Sequence, residues 1–205
     1  MIKLYGHPES GHAFKVKFCL DAAGIEHAYA KIDIFADRET RPAEFRRLAK
    51  FCEVPLLVDG EQALIQSNAI LVYIARKYSI FGGESDAALQ RCLEWLAWEA
   101  NKIGMCLPQL RADQKFADSR LSEGTRQWLL QRYRHDVNVL EHELDDGRLY
   151  ILGSAPSIAD FSLCGYLMYA EEAEVAVHPA VNAWLDRLRI LEGWRDPYVS
   201  LGANR

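Results

Sequence analysis

The sequence predicts an α/β domain followed by an all-helical one, and three observations carry the prediction. Over the first 78 residues, strand and helix signals alternate in the order β-α-β-α-β-β-α. A Gly/Ser-rich polar break, SIFGGESDA at 79–87, follows. Beyond it, residues 88–205 read as long segments with apolar residues at helical spacing. The expected organisation is therefore 1–78, a linker at 79–87, and a helical domain at 88–205.

IKLY is a short first strand. HAFKVKFCLDAAG places Ala13, Val16, Cys19, Leu20 and Ala23 on one helical face and stops at Gly24. HAYAKIDI alternates as a second strand, parallel to the first because a helix joins them. RPAEFRRLAK opens a second helix with a proline and carries Phe45 and Leu48 on one side. PLLVDG and ALIQ form an antiparallel pair, since Asp-Gly tolerates the positive φ of a tight turn. SNAILVYIARKY begins with a serine cap, Ser67, and shows an apolar face. In the helical half, ALQRCLEWLAWEANKIGMCLPQL and RLSEGTRQWLLQRYRHDVNVLEHELDDG are two long segments. SIADFSLCGYLMYAEEA and HPAVNAWLDRLRILEGW are two more. In SIAD, Ser157 and Asp160 have the spacing of a capping box with Asp in place of Glu or Gln, a structural role.

Half of the 205 residues are apolar, enough for a sizeable core. The N-terminus MIKLYGHPES lacks the basic flank and apolar run of a signal peptide, and no run approaches the ~18 apolar residues of a membrane span, so a cytoplasmic location is expected. A net charge of −5 argues against nucleic acid, whose binding rests on phosphate contacts from a basic face. Five widely spaced cysteines with no metal-ligand spacing argue against structural disulfides and zinc. Cys19, Cys92 and Cys164 lie among apolar residues as small core side chains.

Pro55 heads an apolar run in KFCEVPLLVDG, a place proline occupies only at strand starts, edges and bulges. With this strand order, LYGHPESGHAFKVKFCLDAAGI, EVPLLVDG, IQSNAILVYIARKY and SIADFSL together resemble the cytosolic glutathione transferases, over nearly the whole chain. GHPES is similar to the serine-type enzymes of bacteria and plants.

The resemblance implies a thioredoxin-like, glutathione-binding first domain and a helical domain that supplies the pocket for a small apolar electrophile, with Trp95, Trp98, Glu99, Lys102 and Met105 at turn spacing. It implies glutathione as co-substrate, no metal, and a homodimer. It implies a cis Val54–Pro55 bond that frees the backbone of Val54 for the cysteinyl part of glutathione. It puts Gln66 and Ser67 on the γ-glutamyl end, where a helix N-terminus suits a carboxylate. Ser10 becomes the catalytic candidate, a hydroxyl that donates to the thiolate rather than a serine nucleophile, because HPESG is not a nucleophile elbow. His12 is a second polar candidate for thiol or carboxylate.

Two departures stand out. Glu53 replaces the Gln or Lys that relatives carry two residues before the proline, an anion facing an anionic ligand, with Lys50 as a compensating charge. Cys52 lies beside it, as a plain loop thiol or one that exchanges disulfide with glutathione. Beside the transferase reading stand two others: a non-catalytic binding or scaffold protein, and a glutathione-dependent thiol-disulfide reductase or peroxidase using Cys52.

Overall fold

The computed structural model describes residues 1–202. A four-stranded sheet in the order β2-β1-β3-β4 is built from β1 (Ile2–Gly6), β2 (His27–Lys31), β3 (Leu56–Asp59) and β4 (Gln62–Ile65). β1 and β2 are parallel, with Leu4 opposite Tyr29, and β3 is antiparallel to both β1 and β4. Three helices complete the domain: α1 (Gly11–Ala22), α2 (Ala43–Leu48) and α3 (Ser67–Tyr78). This is the thioredoxin-like order the sequence predicts.

The two faces of the sheet are covered separately, as the alternation of side chains along a strand requires. Ile2, Leu4 and Leu57 join α1 and α3 in the large core, which continues into the helical half. Tyr5 and Leu56, from the opposite face, pack with Ile32, Phe45 and Ala49 around α2. The second strand is shorter than the sequence suggests, ending at Lys31, and Pro42 caps α2 rather than lying inside it. Ser67 is the first residue of α3, with Gln66 as its cap.

The helical half holds α4 (Asp86–Asn101), α5 (Ile103–Lys115), α6 (Glu123–Leu144), α7 (Ile158–Leu167), α8 (Pro179–Arg189) and a short α9 (Pro197–Ser200). The first long segment of the sequence reading is two helices, broken at Lys102, whose φ of −117° and ψ of −101° leave the helical region. Gly104 follows this break, where a Cβ would stand 2.5 Å from Glu99 Oε1. No described helix is long and apolar enough to cross a membrane.

Helix α7 is wedged between the domains. Its N-terminus forms the predicted capping box, in which the Asp160 carboxylate accepts the N–H and the hydroxyl of Ser157, both at 2.8 Å. The same buried carboxylate accepts Ile151 N–H and Trp184 Nε1–H, both at 2.9 Å, and so ties the preceding loop and α8 to α7. Phe161, next in sequence, stacks edge-on against Phe18 of α1 and Phe81 of the linker. Cys19, Cys92, Cys106 and Cys164 are buried free thiols. Burial pushes the thiols of Cys19 and Cys164 far above the ordinary range.

Candidate functional site

The loop from β1 into α1 ends at Ser10, the N-cap of α1. Its Oγ accepts the N–H of Ala13 at 3.1 Å, as helix-start serines do. Accepting that bond leaves the hydroxyl hydrogen available for donation. Ser10 is only 6% exposed and lies at the edge of a groove of ≈ 330 Å³ shared with His12, Arg38, Arg41, Val54 and Tyr166. A free hydroxyl donor thus sits at the positive end of a 12-residue helix, on the wall of an open groove.

A second, smaller cavity of ≈ 140 Å³ adjoins it, and His12, Glu53 and Val54 line both. Phe51, Pro55, Ile65, Gln66 and Ser67 complete its wall. The Val54–Pro55 bond is cis. The β3 ladder begins only at Leu56, so Val54 stands outside the sheet, facing the start of α3. Ser67 is 7% exposed and opens α3 with its unpaired N–H groups.

Gln66 reaches this place at a conformational cost. Its φ of 67° and ψ of 110° are rare for a residue with a Cβ. Such strain costs about 1–3 kcal/mol and persists only where the surroundings impose it. Here β4 must reverse directly into α3 with no intervening loop.

His12 is held neutral. Burial, and next the Lys15 ammonium, lower its imidazole to about 4, while Glu99 opposes the shift. At neutral pH it therefore offers a hydrogen-bonding ring and no charge. The ring meets Tyr166 edge-on at 4.9 Å.

Beneath the site, a buried polar network spans both domains. Lys15 Nζ bonds Glu99 Oε2 at 3.0 Å, with the two side chains 1% and 3% exposed. The same oxygen accepts Asn68 Nδ2 at 3.0 Å and Ser162 Oγ at 3.1 Å, and Ser162 is also 2.8 Å from Asn68 Oδ1. Asn68 follows Ser67, so α1, α3, α4 and α7 meet one residue behind the candidate cavity.

Sequence reasoning missed several features here. Glu53 is answered by Arg38, at 3.4 Å across the groove mouth, and not by Lys50, whose Nζ lies 5.3 Å from the Phe51 ring. Arg38 could be flagged only as one of many charged loop residues. Arg41 was also missed: it donates to the carbonyls of Ile34, Ala36 and Cys52, pinning the loop before α2 to the loop before β3. Trp95, Trp98 and Met105 pack against the main core and line neither cavity, and Glu99 is spent in the network. Cys52, with φ of 53°, sits 3.7 Å from the Arg38 carbonyl, also outside both linings. Among the described residues no group of His, Cys, Asp and Glu is arranged to hold a metal.

Comparison with known proteins agrees with this geometry. Residues 1–76 match the family model "Glutathione S-transferase, N-terminal domain", and residues 84–187 match "Glutathione S-transferase, C-terminal domain". The chain is 28% identical over 202 residues to the Disulfide-bond oxidoreductase YfcG of Escherichia coli (strain K12), covering 92% of this chain and 90% of that one. A solved glutathione S-transferase from Xanthobacter autotrophicus superposes with a TM-score of 0.83 at 28% identity, covering 95% of this chain and 96% of that one. A possible glutathione S-transferase from Rhodopseudomonas palustris gives 0.85 at 26%, covering 96% and 97%. With both domains matched in order, the chain belongs to the glutathione S-transferase family.

Proposed function

We propose that this protein binds glutathione across the two adjoining cavities and ionises its thiol at Ser10, passing the thiolate to a small electrophile. The observation that carries the reading is the position of the Ser10 hydroxyl, at the N-terminus of α1 and on the wall of the groove that Val54, Glu53 and His12 connect to Gln66 and Ser67. Val54 pairs with the cysteinyl backbone. Gln66 and Ser67 take the γ-glutamyl end. Arg38 neutralises Glu53, so the anionic ligand meets a paired charge.

The energetics suffice without a protein base, the thiol proton passing to bulk water. A free thiol ionises near pH 8.5. Bringing it two units lower needs about 2.7 kcal/mol. A hydrogen bond from Ser10 to the thiolate supplies about 1.5–3 and the helix terminus about 0.3–1. The thiolate sulfur then forms a C–S bond at the electrophilic carbon, and the leaving group departs with its bonding pair.

A second reading is favoured by the likeness to a disulfide-bond oxidoreductase. In it the same thiolate attacks a disulfide sulfur, the S–S bond breaks, and a thiolate leaves. A second glutathione thiolate resolves the mixed disulfide and yields oxidised glutathione. The attacking sulfur is glutathione's own, since Cys52 lies outside both cavity linings. The protein acts in the cytoplasm as a homodimer, with Phe51, Tyr78 and Leu93 among the large apolar side chains it leaves exposed for a second copy.

The test is a calorimetric titration with glutathione, followed by turnover of a chlorodinitroarene and of a low-molecular-weight disulfide by wild type and Ser10→Ala. Binding with loss of either turnover in Ser10→Ala supports thiol activation, and the substrate turned over separates the two readings. No heat at millimolar glutathione rejects both and leaves the scaffold reading.

A further inference from the structure

The residues just before Ser10 are gripped from the helical half and from the last helix. Within the loop, Ser10 N–H donates to the His7 carbonyl at 2.9 Å and Glu9 N–H to His7 Nδ1 at 3.1 Å. From outside, the Tyr169 hydroxyl donates to the Pro8 carbonyl at 2.9 Å, and Arg111 Nη1 donates to the Glu9 carbonyl at 2.9 Å. The Glu9 carboxylate accepts Arg111 Nη2 as well, and Lys115 Nζ stands 2.9 Å from it. The Tyr198 hydroxyl, from α9, lies 3.1 Å from that carboxylate and 2.7 Å from Glu172. Arg111 completes the knot by donating to Glu172 at 2.9 Å, with its guanidinium 4.3 Å from the Tyr169 ring centroid.

The arrangement is specific. Arg111 is 2% exposed, and the charges around it balance: buried Arg111 and the more exposed Lys115 against the partly buried Glu9 and Glu172. Two consecutive carbonyls and one side chain immediately before Ser10 are fixed by residues a hundred or more positions away. A planar guanidinium fork can set a backbone's orientation where a lysine cannot. A hydrogen bond to a thiolate depends on the donor's direction, and misplacement by about 1 Å costs up to a hundredfold in rate.

We propose that Arg111 and Tyr198 are positioning residues, which hold Glu9 so that the Ser10 hydroxyl points at the bound thiol, and that α9 thereby forms part of the active-site scaffold. The inference rests on the reading of Ser10 as the thiolate donor. Neither Arg111 nor Tyr198 lines the groove; Glu9 does, and it transmits their hold.

The experiment is a double-mutant cycle on Ser10→Ala and Tyr198→Phe, with Arg111→Lys as the conservative charge-keeping variant. Tyr198→Phe keeps the ring that packs on Tyr169 at 5.7 Å and removes only the hydroxyl. The readouts are kcat and KM for glutathione, and the thiolate absorbance of bound glutathione at pH 7. The expected result is a roughly five- to tenfold fall in kcat and in bound thiolate for Tyr198→Phe and for Arg111→Lys, with KM within about twofold. The double variant is then no slower than Ser10→Ala alone, because both changes act through one hydroxyl. Multiplicative losses in the double variant, or a lowered melting temperature with kcat and thiolate unchanged, overturn the inference while leaving the role of Ser10 standing. If Ser10→Ala ionises the thiol as wild type does, the functional reading fails and this inference with it.

Discussion

Gly11 and Gly165 face each other across the domain boundary, and the carbonyl of each lies 2.9 Å from the point where a Cβ on the other would stand. Gly11 opens α1 immediately after Ser10, and Gly165 lies in α7, so this close approach sets where the candidate hydroxyl sits relative to the helical half. A Cβ at Gly11 would also meet the Tyr166 ring at 2.8 Å. Gly165→Ala is expected to destabilise the fold by about 1–3 kcal/mol, the usual cost of overpacking. It should also lower turnover, since α1 must move away from α7. Chemical denaturation and steady-state kinetics check both, and an unchanged midpoint would contradict the packing.

Asp160 gives a stability effect without a binding effect. Its buried carboxylate accepts four hydrogen bonds, two from Ser157 and one each from Ile151 and Trp184. Burial raises its pKa and those four donors oppose the shift. Asp160→Asn turns an amide N–H₂ toward donors and is expected to cost about 3 kcal/mol. Glutathione affinity should stay within twofold. A calorimetric Kd that rises severalfold as the melting temperature falls would contradict a purely structural role.

The half-buried His12 makes stability depend on pH below neutrality. Its folded pKa, about 4, lies below its unfolded value of about 6.5. Between those values the unfolded chain binds a proton that the folded one refuses. Stability is therefore full above about pH 6.5, falls as pH drops toward 4, and levels off below. The loss approaches about 3 kcal/mol. His7, lowered chiefly by burial, acts in the same direction. Denaturation midpoints of wild type and His12→Asn across this window check the sign: the variant should show a flatter profile.

On the proposed function, Gln66 is expected to set stability against binding. Glycine accepts positive φ without penalty. Gln66→Gly should therefore stabilise the protein by about 1 kcal/mol while weakening glutathione binding by about tenfold or more, one charge-assisted hydrogen bond's worth. Thermal melts and calorimetry together decide; a variant both less stable and equally tight would contradict the account.

The domain order and the strand pairing were legible because local signals carry them: alternation, a proline at a strand head, a hairpin Asp-Gly, serines at helix starts; the choice of Ser10, Val54, Gln66 and Ser67 as site residues came from the family resemblance. The break at Lys102 was not legible. Gly104, two residues past the break, reads in the sequence as an ordinary glycine within a helix, and its closeness to Glu99 exists only in the fold. The burial of Lys15 was equally hidden, since its partner Glu99 lies 84 positions away. The same holds for Glu9 and Arg111, separated by 102 positions. Arg111 and Lys115 stand one helical turn apart on α5, a like-charge pair, and that was the one trace of this cluster in the sequence. Lys50 seemed the natural partner of Glu53 by proximity along the chain, but the fold brings Arg38 there instead.

On the proposed function, Ser10 ionises a glutathione thiol bound beside it. Ultraviolet difference spectroscopy of the complex, read at the thiolate band across pH 5 to 9, tests it most directly. The account predicts a bound-thiol pKa about two units below the free value of about 8.5 in wild type, returning most of the way in Ser10→Ala with glutathione still bound. A wild-type complex whose thiol titrates like free glutathione, or a Ser10→Ala complex that titrates like wild type, would contradict it.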